Sequence, residues 1–269
     1  IMILQKIEEN SWAYVDGYGV INEELSFSRR LMGVIPDKEK NIFIPVLCKY
    51  IGDVFETEDG AFLCNRIEDE IKIIKYLHDF DDSVIPSEIN GYSVTSFDTA
   101  VFINSNNLKT VTIPGSIRFL SSSAFSSPAL REINVAVNNL RYTSIDGVLY
   151  TKDKKNLIKY PQGRSACSYT IPSGVETLGA YSMTSSFNLE SVSIPSTVKA
   201  ICDSALGGCI KLEELIIPEG VEIIEEYAFA ECISLKKVSL PASLEFLDST
   251  AFNSCENITS LIYTGHYKI

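Results

Sequence analysis

Apolar positions recur along this chain with a period of 23 residues. Pro172, Pro195, Pro218 and Pro241 mark the period, preceded by Ile171, Ile194, Ile217 and Leu240. Three residues after each proline stands Val175, Val198, Val221 or Leu244. Six after stands Leu178, Ile201, Ile224 or Leu247. Eleven after stands Met183, Leu206, Phe229 or Phe252. Further on, Leu189, Leu212, Leu235 and Ile258 share one offset, and Val192, Leu215, Val238 and Leu261 share another. Chance does not align apolar residues at so many offsets in four successive units, so the chain is a structural repeat.

One unit contains a strand and a return. The stretch L-x-x-V-x-I-P spaces its last apolar residues by two, as a half-buried strand does. Proline ends the strand because it lacks an amide hydrogen and fixes φ. The V-x-x-I stretch is expected to turn the chain back. The Ala-Phe pair with its polar follow-up (Ala228-Phe229, Ala251-Phe252) fits a single helical or 3₁₀ turn, too short to stand alone. Such a unit cannot bury its own apolar edge. Stacking covers that edge with the next unit, at about 4.8 Å per coil.

Earlier units are less regular. Pro86 and Pro114 open two of them, and Ala136 takes the proline's place in a third. The chain then departs into DGVLYTKDKKNLIKYPQG, from 146 to 163. Similar Asp-Gly openings begin the segments 16–45 and 59–86, and each predicts an inserted β-hairpin. No Gly/Ser/Pro-rich linker interrupts the chain. The expected organisation is one domain over 1–269. Irregular capping coils with hairpin inserts fill 1–80, and regular repeats fill 81–269 with a hairpin at 146–161. Trp12, Tyr14 and Tyr18 are expected to cover the N-terminal end of the core.

These phrases, IPEGVEIIEEYAFAECISLKKVSLP above all, resemble the BspA-like (Treponema-type) leucine-rich-repeat family. The 23-residue step lies within the range of leucine-rich repeats. The resemblance implies a leucine-rich-repeat solenoid: β-rich coils, a parallel sheet, short helical or 3₁₀ turns and inserted hairpins. It further implies a secreted or cell-surface bacterial protein that binds macromolecules. A cytoplasmic location is the alternative, since no signal peptide is visible. The asparagine of the usual leucine-rich pattern is replaced by Gly174, Thr197, Gly220 and Ser243. The curvature is therefore not expected to follow the ribonuclease-inhibitor horseshoe.

Composition narrows the function. The 269 residues carry a formal net charge of −12, which repels phosphate backbones and argues against nucleic acid. No apolar run is long enough to insert in a membrane. The two histidines, His78 and His266, fall at opposite ends of a solenoid, where neither completes a nucleophile–base pair with the other. No catalytic or phosphate-binding motif occurs, so no catalytic residue, cofactor or metal is expected. The acidic run Asp79, Asp81 and Asp82 reads as a solvated face, with weak calcium binding as the alternative.

Of the seven cysteines, Cys209, Cys232 and Cys255 share one repeat position, with Ser186, Pro128 and Ser105 in the same place elsewhere. Parallel side chains in a column do not converge into disulfides, so buried free thiols are expected. The surface that stays regular is the outward side of the strands. Thr112, Ser193, Glu214, Ile216, Lys237, Ser239 and Ile262 form the candidate partner-binding face. The expected role is a non-catalytic adhesion-type module for a protein or glycan partner. A structural spacer of a larger surface protein is the alternative, and an enzyme is a poorer fit than either.

Overall fold

The computed structural model describes residues 52–265 and, before them, the backbone of the strands Ile3–Glu8, Ser11–Asp16, Gly19–Ser26, Val34–Asp37 and Ile42–Pro45. Gly19–Ser26 and Val34–Asp37 stand at opposite edges of one antiparallel sheet, so the hairpin expected over 16–45 does not form between them. Tyr18, His266 and the side chains of Trp12 and Tyr14 lie outside the described residues. Within 52–265 the chain is a solenoid of stacked coils built almost wholly of strands and turns.

Each coil contributes one strand to a parallel face. Val111 pairs with Ile133, Tyr169 with Val192, and Leu215 with Val238 and then Leu261. The repeat register is thus the one the offsets predict. The face is not one continuous sheet, however. It is a three-stranded sheet ending at Glu132–Val135, a two-stranded pair, and a three-stranded sheet from Glu214–Ile216 to Ser260–Tyr263. The first break has a clear cause. The strand edge that should meet the next coil is taken by the insert, where the Gly147 carbonyl accepts the Ile133 N–H at 2.9 Å. At the second break, Ser191–Ser193 and Glu214–Ile216 remain neighbours without a ladder.

The V-x-x-I stretches do more than turn the chain. Thr177–Leu178, Ala200–Ile201, Ile223–Ile224 and Phe246–Leu247 are two-residue strands that pair in parallel, coil on coil. They extend a second sheet that begins in the insert. That insert is three antiparallel strands, Tyr142–Ile145, Val148–Thr151 and Asn156–Lys159. Its last strand enters the column, Leu157 opposite Leu178.

The Ala-Phe turns are a 3₁₀ helix only at Ser122–Phe125. In the regular coils they are bracketed by left-handed residues: Tyr181, Ser204 and Tyr227 before, Ser185, Gly208, Glu231 and Ser254 after. A positive φ ends a helical run at each side, which leaves a compact turn.

Two buried clusters make the core. One spans Ala61 to Ile133 and the other Val148 to Cys255. The middle strand of the insert divides them. Leu149 packs in the first cluster, Val148 and Tyr150 in the second, as side chains of a strand alternate faces. Hydroxyls stand in for the absent asparagine. Thr197 Oγ1 donates to the Val175 carbonyl at 2.7 Å and accepts the Gly174 N–H at 3.2 Å. Two periods on, Ser243 Oγ donates to Val221 O at 2.8 Å and accepts from Gly220 N at 2.9 Å. Gly174 and Gly220, at φ +98° and +110°, supply the turn that aims those N–H groups.

Phe229 is fully buried and stacks on Phe252 with centroids 5.2 Å apart. Phe229→Ala is expected to lower stability by about 3–5 kcal/mol, the cost of emptying an aromatic core site. Urea melts of the variant check this; a loss under about 1 kcal/mol would mean that the coils do not depend on that column.

Candidate functional site

Five of the candidate residues share one sheet. Glu214 lies opposite Lys237, and Ile216 opposite Ser239, which lies opposite Ile262. Ile216 and Ile262 are 61% and 57% exposed, and Ser239 between them is half-buried. Two aliphatic side chains therefore flank a small hydroxyl, with unlike charges one strand position to the side. Ser193 belongs to the two-stranded pair and Thr112 to the N-terminal sheet, paired with Val84 and Asn134. The breaks at the insert and at Ser193 separate those two residues from the other five.

Leu261, expected inside with the core leucines, is 62% exposed. It lies in the last described strand, so no following strand covers it. Partly buried Leu247, Phe252, Ile258 and Tyr263 pack on the core beside it.

Charged residues line the coils in steps of the repeat. Lys199 pairs with Glu222 at 3.0 Å and Lys236 with Glu213 at 3.2 Å, each across one period. Lys155 of the insert pairs with Glu176 at 2.8 Å. These exposed pairs add little stability, up to about 1 kcal/mol each. The acidic run is likewise engaged. Asp79 accepts from Asn107 N and Nδ2, and Asp81 pairs with Lys109 at 2.5 Å, one coil away. Among the described residues no group of three His, Cys, Asp or Glu could hold a metal ion. His78 sits among aromatic rings, edge-on to Phe80 at 4.7 Å.

The thiols form a donor column. Cys209 Sγ donates to Met183 O, Cys232 Sγ to Leu206 O and Cys255 Sγ to Phe229 O. Ser186 holds the same position one coil earlier. In the coil before the insert the position belongs to Ser127 and not to Pro128. Leu130 N bonds to Ser127 O as Leu189 N does to Ser186 O, and Pro128 is exposed. The shorter coil had shifted the count by one. All six described cysteines are free. Burial pushes the Cys209 thiol up to about 12, and the hydrogen bond with the Cys255 thiol, followed by burial, raises that of Cys232.

The residue that the sequence did not single out is Lys159. Tyr160 N bonds to Ser182 O as Met183 N does to Ala205 O, so Lys159 occupies the alanine column. It is fully buried. Its Nζ donates to Tyr181 O at 3.0 Å. Burial lowers its pKa to about 8. The amine is shut off from any solute, so its effect falls on stability. A folded pKa below the unfolded value means that the charged form is penalised in the fold. That penalty is complete below pH 8 and fades as pH rises toward the unfolded value near 10.4.

The comparisons with known proteins agree with this architecture. The model of the BspA type leucine rich repeat region matches in six copies, over residues 67–146 and 162–269. The chain belongs to that family. The gap between the two matches takes in the second and third strands of the insert. Among solved structures, a leucine-rich repeat protein from Eubacterium ventriosum is 23% identical, with a TM-score of 0.54. The alignment covers 67% of this chain and 54% of that one, so this chain spans about half of its length. The pneumococcal vaccine antigen PcpA is 15% identical with a TM-score of 0.53, covering 81% of this chain and 89% of its own. No curated protein matches the chain. No helix among the described residues is long and apolar enough to cross a membrane.

Two expectations follow. Lys159→Met should raise stability at pH 7 by about 1–2 kcal/mol, the relieved charge burial less the lost hydrogen bond. The gain should shrink between pH 8 and 10, as read from paired melts of the two proteins. Under native conditions a thiol reagent should label exposed Cys167 quickly and leave Cys209 and Cys232 untouched until the chain unfolds. Site-by-site mass spectrometry distinguishes them, and fast labelling of Cys232 would contradict the buried column.

Proposed function

We propose that this solenoid is a non-catalytic recognition module of the bacterial surface. It holds a protein or glycan partner against the strand face from Glu214 to Ile262. The observation that carries the reading is the pair of exposed isoleucines, Ile216 and Ile262, fixed two coils apart on a rigid ladder. Fully burying one such side chain is worth about 1.5–3 kcal/mol, and the ladder holds both with little ordering cost at binding. Glu214 and Lys237 beside them give the partner polar contacts of either sign. Ser193 extends the face on one side and Thr112 stands apart on the N-terminal sheet. Membership of the family supports a surface location, as does likeness in fold to a pneumococcal protein described as a vaccine antigen.

A screen against extracellular proteins and glycans supplies the partner for the test. The double variant Ile216→Arg, Ser239→Arg should weaken binding at least about tenfold, or 1.4 kcal/mol. Its melting temperature should stay near that of the parent, because both side chains reach solvent. Unchanged affinity in a folded variant would move the site off this face.

A further inference from the structure

The insert carries a second surface that the strand face does not explain. Val137 and Leu140 are 96% and 83% exposed, more than any other large apolar residue described. They sit in the loop between Glu132–Val135 and Tyr142–Ile145. The loop is not loose. Between them, buried Asn139 donates through Nδ2 to Pro114 O and Ile117 O, at 2.9 and 3.1 Å. Its Oδ1 accepts from Arg141 N and Tyr142 N, both at 2.8 Å. The buried amide therefore pins the loop from inside and holds two aliphatic side chains outward. Such exposed side chains project from the surface and line no groove.

Cations surround them. Tyr142 pairs with Thr151, so the turn 152–155 lies at the same end of the insert as the loop 137–141. Lys152 Nζ donates to the Val137 carbonyl at 3.3 Å, and Lys152 N bonds to Arg141 O at 2.8 Å. Arg141, Lys152 and Lys154 are exposed, and Lys155 is paired with Glu176. The carboxylate within this turn is Asp153, held by the Thr151 hydroxyl and the Lys155 N–H. Arg118 of the coil beneath is paired with Glu70. The corner keeps a positive excess on a chain whose net charge is −12.

We propose that this corner docks peripherally on an anionic lipid surface. Val137 and Leu140 enter the headgroup layer while Arg141, Lys152 and Lys154 meet lipid phosphates. The charge of the corner selects an anionic occupant. Protruding aliphatic tips beside basic residues fit a lipid interface. Valine and leucine are under-represented among the residues that dominate protein–protein contacts, which favours lipid over a protein partner. This contact is peripheral and distinct from a membrane span.

Vesicle flotation tests the proposal. The protein should float with phosphatidylcholine–phosphatidylglycerol vesicles at low salt, and with neither phosphatidylcholine vesicles alone nor mixed vesicles in high salt. Each basic residue should be worth about fivefold in partition, and each buried aliphatic about tenfold or more. Val137→Ser with Leu140→Ser, and separately Arg141→Glu with Lys152→Glu, should each lower partition at least tenfold at unchanged melting temperature. Ile216→Arg with Ser239→Arg should float as the parent does, which separates this surface from the strand face. Failure of the parent protein to float would overturn the proposal. So would loss in the charge variant without loss in the aliphatic one, or a protein ligand held by the corner while vesicles are ignored.

Discussion

Everything in this molecule depends on one constraint: no coil can bury its own apolar edge. Val198, Leu206, Leu212 and Leu215 are buried only because the coils on either side repeat the same offsets. The backbone enforces the match. Phe229 N reaches Ala251 O at 2.8 Å, as Leu206 N reaches Ala228 O, so a one-residue slip would break ladder and core together. This is why a 23-residue period survives in a chain whose surface residues vary freely. It also explains the exposure of Leu261, which has the sequence of a core leucine but no strand beyond it among the described residues to make it one.

The insert meets the same constraint in another way. An irregular segment between two stacks would leave two uncovered ends. Here the strand Val148–Thr151 gives alternate side chains to the two sides, so one strand closes both cores. The third insert strand then adopts the register of the coils. The cost of that fit is visible at Lys159, which must occupy an alanine position, fully buried. The amine is retained with a lowered pKa and donates to the Tyr181 carbonyl.

The repeat made the fold legible to the degree that it was written in apolar residues. The buried places of Val175, Leu206, Phe229 and Leu235 follow from counting alone. The second sheet does not, because a two-residue strand such as Ile223–Ile224 is too short to display a period of two. The left-handed residues are equally hidden. Tyr181, Tyr227 and Glu231 carry no glycine or asparagine signal, yet they set the turns. At the candidate face the alternation correctly put Ile216 and Ile262 outside. It could not foresee that the insert would cut Thr112 away, since the insert reads as a surface hairpin until its middle strand is found buried on both sides. Lys159 was hidden for the same reason: in KNLIKYP a lysine is ordinarily a solvated residue.

A rigid solenoid and a rigid insert together give the molecule two surfaces with different chemistry. The strand face is flat, and its exposed groups are spaced by the coil step, so it presents the same geometry over several coils. The corner at Val137 and Leu140 is local and convex. It hangs on Asn139, whose amide is bonded to the Pro114 coil, and on Arg141, whose carbonyl is bonded into the insert. The insert strand behind it is locked between two cores. Movement of the corner would therefore disturb the Pro114 coil and the packing of Leu149 and Tyr150 at once. A tip held in this way loses little freedom when it meets a surface, and its few contacts are not offset by the cost of ordering a loop.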